Sequence, residues 1–114
     1  MTLKEVKRRW KTASETGKLT KSMKQILKLW KKHEGKCHIC GQLVPNPLLQ
    51  TELLTSSNYP SRDHIIPKSK GGSYKQKNLL LAHRKCNVVR GNIDIYDIPT
   101  KLKHKTWEQL KEGI

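Results

Sequence analysis

RDHIIPKSKGGSYKQKNLLLAHRKCNVVRG, residues Arg62 to Gly91, packs more chemistry into thirty residues than a fold requires. Arg62 to Ile66 is short, rich in β-branched residues and ended by Pro67, which reads as a strand. Asn78 to Ala82 reads as a second strand, and Arg84 to Arg90 as a short helix ended by Gly91. Between the strands lies Lys68-Ser69-Lys70-Gly71-Gly72, a loop with backbone freedom and positive charge. The local expectation is a ββα unit in an α+β domain.

Within that unit, Asp63 offers a hard oxygen ligand suited to Mg2+, and a neutral His64 can take a proton from water near pH 7. Neighbouring side chains on a regular strand point to opposite faces, so serving one site requires a distorted strand or a substrate that reaches both groups. Arg84, Asn87 and Arg90 recur at i, i+3 and i+6, which sets an amide between two guanidinium groups where a phosphate can sit.

Working outward, Cys37-His38-Ile39-Cys40 is a tight C-x2-C turn whose natural partner is His83-Arg84-Lys85-Cys86. Two such pairs from distant turns assemble a tetrahedral zinc site, with Cys37, Cys40, His83 and Cys86 as ligands and free buried thiols as the alternative. His38 is a competing nitrogen donor, awkwardly adjacent to Cys37. Four protein ligands leave no open position for water, so the zinc is structural, and its binding free energy of about 10 kcal/mol or more is folding free energy.

DHIIPKSKGG, Asn78 in NLLL, the His83/Cys86 pair and CNVVRGN together resemble the HNH endonucleases, the ββα-metal or His-Me finger nucleases, over roughly Cys37 to Asn92. The resemblance implies a metal-dependent DNA endonuclease or nickase with His64 as general base. Asp63 and Asn87 would hold a catalytic Mg2+ or Mn2+, and Asn78 would secure the loop that orients the histidine. Asn87 stands where many members carry the final His, which makes this an HNN variant, and His83 replaces the more frequent first Cys of the second zinc pair. Arg62, Lys68, Lys70, Arg84 and Arg90 are the expected phosphate contacts. The runner-up is a zinc-stapled nucleic-acid-binding or regulatory module that does not cut.

Lys plus Arg number 24 against nine Asp plus Glu, a formal charge of +15 that calls for a polyanionic partner. DNA held mainly by its backbone is the expectation, with no membrane partner, because no apolar run approaches the ~20 residues of a spanning helix. An odd cysteine count without a leader segment points to a reducing compartment, hence a cytoplasm, and the resemblance implies that of a bacterial or phage-infected cell. A monomer is expected, and a packaging or recombination complex is a conceivable protein partner. Small free-standing proteins of the family include phage, homing and restriction nucleases.

With 34% hydrophobic residues, no Phe and a mean hydropathy of -0.76, one small core is all the chain can build. The expected single domain divides into a basic helical extension (1–35), the zinc-stapled core (36–92) and a C-terminal extension (93–114). In the first part, Thr2 and Glu5 form a capping box opening a helix over Leu3 to Ser14. A second helix starts at Thr20 or Ser22, with Met23, Ile26, Leu27 and Trp30 as its buried stripe and Gly35 as its cap. Asn46-Pro47 opens a short apolar helix through Leu48, Leu49, Leu53 and Leu54, and Thr106 to Glu112 forms a last helix behind a basic patch at Lys101, Lys103, His104 and Lys105.

Overall fold

The computed structural model describes residues 1–94. The C-terminal helix and basic patch expected beyond Lys101 lie outside them. Helix α1 spans Leu3–Thr16, capped by Thr2, whose hydroxyl accepts from the Glu5 amide at 3.2 Å. It closes at Gly17, which takes a left-handed φ of 72° and returns its N–H to the Ala13 carbonyl. Helix α2 spans Lys21–Lys32 and is capped by Thr20. Past its end, Gly35 adopts φ 73° and bonds the Trp30 carbonyl at 2.8 Å, and a Cβ there would meet the Trp30 ring at 2.9 Å. Glycine is therefore dictated both by conformation and by space.

Strands β1 (Pro60–His64) and β2 (Leu79–His83) pair antiparallel, with Pro60 opposite His83 and His64 opposite Leu79. Helix α3 (Arg84–Arg90) follows β2 without a spacer, its N-cap being His83 itself. The ββα unit forms as expected. The strands begin and end slightly off the expected boundaries: β1 lies two residues earlier, and Gln76–Asn78 is a 3-10 turn that delays β2 by one. Short strands of a two-stranded ladder end where the backbone turns, and propensity does not encode that point.

Two hydrophobic clusters form the interior. One gathers Leu29, Val44, Leu79, Leu81 and Ala82 around Cys37 and Cys86; the other gathers Val6, Trp10, Ala13, Met23 and Leu54. Helix α2 lies between them. Met23 is buried in the second cluster with Ile26 and Leu27 beside it, whereas Leu29 is buried in the first with Trp30 against it. The single stripe expected of α2 is thus two faces, which also buries Gln25. Between Asn46 and Leu54 the expected helix is only a turn followed by a 3-10 segment, Thr51–Leu53. Asn46 does cap it, accepting from the Leu48 and Leu49 amides. Leu54 reaches the interior while Leu49 and Leu53 stay exposed, because one turn cannot aim four leucines at one core.

Candidate functional site

Cys37 and Cys40 sit on the knuckle after α2, His83 ends β2, and Cys86 lies in the first turn of α3. Their ligand atoms fall within 4.8 Å of one another. His83 Nδ1 is 3.3 Å from Cys40 Sγ and 3.8 Å from Cys86 Sγ, close to the ~3.5–3.8 Å edges of a tetrahedron around zinc. His83 Nε2 donates to the Leu43 carbonyl at 2.8 Å, which turns Nδ1 toward the sulfurs as a metal-ligating imidazole requires. The Ile39 amide donates to Cys37 Sγ. Hydrogen bonds with Cys40 and then Cys86 push the Cys37 thiol far down, and those with Cys37 and then Cys40 push Cys86 up. Burial opposes an imidazolium at His83, yet hydrogen bonds to Cys37, Cys40 and the Leu43 carbonyl raise it to about 10. Three sulfurs and a ring nitrogen competing for protons at this spacing are a donor set that a zinc ion fits.

Strand β1 carries the rest, and its two faces differ. Asp63 points toward α3 and the knuckle and is 3% exposed. Its Oδ1 accepts from Arg90 Nη1 at 2.7 Å, and its Oδ2 accepts from His38 Nε2 at 2.5 Å. His38, expected as a rival zinc donor, instead faces the carboxylate. Arg90 is 1% exposed and its guanidinium also donates to the carbonyls of His64, Ile65 and Ile93. Its expected role as a phosphate contact is wrong. The i, i+6 spacing carries Arg90 under the strand, where three backbone carbonyls and a buried carboxylate engage it fully. Asn87 donates from its amide nitrogen to Ser61 Oγ and the Arg62 carbonyl, tying α3 to β1. Its Oδ1 accepts no hydrogen bond among the described residues.

On the opposite face, Arg62 and His64 meet Tyr74. The His64 and Tyr74 rings stack edge to face with centroids 4.5 Å apart. Arg62 and Lys68 lie 4.8 and 4.5 Å from the centre of the Tyr74 ring. His64 Nε2 is out of reach of solvent and has no hydrogen-bond partner among the described residues. Burial, then the Arg62 charge, lowers the pKa of His64 below its ordinary 6.5, with Asp63 pulling weakly the other way. Asn78 clamps the connecting loop: its Oδ1 accepts from the Ile66 amide, and its Nδ2 donates to the carbonyls of Ile66 and Ser73. Gly72 closes that loop so tightly that a Cβ would lie 1.6 Å from the Ile66 carbonyl oxygen. Lys70 is exposed on the loop, and the exposed Arg84 bonds the Tyr59 hydroxyl at 3.1 Å.

Residues 37–92 match the HNH endonuclease family, from the first zinc-cluster cysteine to just past Asn87. The chain carries an HNH domain. Its ββα unit and Cys3His cluster are those of a small ββα-metal domain with a zinc framework. No curated protein and no solved structure matched the chain. Among the described residues no helix is long and apolar enough to cross a membrane.

Two residues around His64 and Arg62 escaped the sequence reading. Gln25 on α2 donates to the Tyr74 carbonyl at 2.7 Å and accepts from Arg62 Nη1 at 3.0 Å, while Gln76 reaches back to the Gln25 carbonyl. Tyr74 is the other. A lone Gln among lysines carries no local signal, whereas a tyrosine two residues after the glycine pair of the basic loop was a usable one.

Proposed function

We propose that the protein is a metal-dependent DNA endonuclease or nickase in which His64 removes a proton from the attacking water. The observation that carries this reading is the state of His64: a neutral-leaning imidazole with an unpartnered, desolvated Nε2, set in the wall of a groove rimmed by Arg9, Arg62 and Arg84. A general base needs to be unprotonated near neutral pH, and both burial and the neighbouring guanidinium favour that form. Asn78 is a positioning residue, since the loop it clamps begins immediately after His64.

Asp63 and Asn87 form a hard-oxygen donor set suited to Mg2+ or Mn2+. The unaccepted Oδ1 of Asn87 is the observation that fits such an ion, and Asp63 would hold it with Oδ2 in place of its hydrogen bond from His38. An ion held there would supply charge neutralisation at the phosphate and the leaving 3′-oxygen. Arg90 aims the Asp63 carboxylate, and Arg62, Lys68, Lys70 and Arg84 supply the backbone-directed charge. The DNA contact is therefore salt-sensitive and weakly sequence-specific.

Relaxation of supercoiled plasmid tests the reading. The parent protein is expected to nick or linearise plasmid with Mg2+ or Mn2+, and a folded His64→Ala protein to bind the plasmid with cutting reduced by about 10²–10⁴-fold. Undiminished cutting by that variant removes His64 as the base. A parent that binds DNA and never cuts returns the protein to the class of zinc-stapled binding modules.

A further inference from the structure

The groove in front of His64 is not bounded by the HNH domain alone. Its far wall is built by α1 and α2, which end before residue 37, where the family match begins. Trp10, Met23 and Ile26 make that wall apolar, and Tyr59 and Tyr74 line the near side. Arg9, Arg62 and Arg84 stand among them, and the space is about 340 Å³.

A surface that only tracks a phosphate backbone needs cations and gains nothing from an aromatic-aliphatic concavity. In a duplex the one broad apolar part of the polymer, the base face, is hidden in the stack. An apolar cavity near the small end of the usual ~300–1,000 Å³ range, ringed by arginines and opening onto a general base, matches one unstacked base with its phosphates held at the rim. We infer that Trp10, Met23, Ile26, Tyr59 and Tyr74 form a nucleobase subsite beside His64, and that the preferred substrate is single-stranded or locally unpaired nucleic acid. This deepens the nuclease reading and rests on it.

Helix α2 supports the subsite from behind. Gln25 holds both Arg62 and the Tyr74 backbone, so the helices that form the far wall also set the near one.

The test is equilibrium binding by fluorescence anisotropy in zinc-containing buffer without Mg2+ or Mn2+, where cutting plays no part. Three probes are compared: a short oligothymidine, a strand of the same length and charge made wholly of abasic sites, and a matched duplex. The oligothymidine is expected to bind about 5- to 150-fold tighter than the abasic strand, the equivalent of stacking one base. Ile26→Trp, which fills the cavity, is expected to erase that preference and leave the abasic strand's affinity unchanged. Should Ile26→Trp lose its helical circular dichroism, competition on the parent protein decides: thymidine 5′-monophosphate displaces oligothymidine at concentrations where deoxyribose 5-phosphate does not. Equal affinity for the base-bearing and abasic strands overturns the subsite, as does a preference that survives in a folded Ile26→Trp protein or equal displacement by the two monophosphates. If the parent binds none of the three probes, the nucleic-acid reading fails with it; if it binds all three alike and still nicks plasmid, only the subsite fails.

Discussion

The two faces of β1 carry the same kinds of residue to opposite ends. Toward α3 and the knuckle, Asp63 and Arg90 are almost wholly buried and their polar atoms are matched against each other, His38 and three backbone carbonyls. Toward α1 and α2, Arg62 and His64 line an open groove, and His64 Nε2 has no hydrogen-bond partner among the described residues. Matched charge fixes Asp63 in place, whereas His64 Nε2 sits in the groove wall with no hydrogen bond to give up first. Adjacent residues of one strand can serve both purposes because the pleat sends them to different environments.

That division is most severely tested by removing the zinc. Chelation strong enough to strip Cys37, Cys40, His83 and Cys86, or Cys86→Ser, is expected to forfeit on the order of 10 kcal/mol and unfold residues 37–92, seen as loss of the cooperative thermal transition. Mild EDTA that removes only a weakly held Mg2+ should stop cutting first, with the transition intact. Coincident loss of fold and cutting would collapse the separation between the closed and open sites.

Next in size is Arg90→Leu. It leaves the Asp63 carboxylate buried beside His38 alone and strips three carbonyls of a donor, at about 3–5 kcal/mol in denaturant unfolding. Arg84→Ala, on the open side, should alter stability by less than about 0.5 kcal/mol and weaken DNA binding. A stable Arg90→Leu protein with weakened DNA binding would reverse the assignment.

Gly72→Ala should cost about 1–3 kcal/mol, because its Cβ would collide with the Ile66 carbonyl and the loop must shift. The expected sign of that shift is a larger proportional loss of nicking than of stability, since the loop adjoins His64.

The smallest and sharpest effect is in pH. The pKa of His64 is lowered in the folded protein, so protonation favours the unfolded chain: any stability linked to this group is present above pH 6.5 and declines as pH falls below it. The neutral form persists to lower pH than in a free histidine, so the acid limb of the nicking rate should fall below pH 6.5. A limb above 6.5 would mean that the base is some other group or that His64 is charged in its working state.

Several of these features are legible in the chain as written. The paired two-residue spacings of Cys37/Cys40 and His83/Cys86 announce a metal cluster, because chelation by a turn is a local geometric requirement. Thr2, Thr20, Gly17 and Gly35 mark helix ends through capping and positive φ, which are local as well. Arg90 misled because its periodicity shows which helix face it occupies and nothing of what lies against that face. Leu49 and Leu53 misled for the same reason.

Sequence by itself therefore determined the Cys37, Cys40, His83 and Cys86 metal cluster and the ββα order, each of them a matter of spacing over a few residues. Tertiary structure alone decided that Arg90 is sealed beneath β1, that Gln25 braces Tyr74, and that α1 and α2 supply the far wall of the groove. These depend on contacts between residues separated by 27, 49 and more positions, where burial and charge pairing are set by how whole elements pack. No local propensity records that packing.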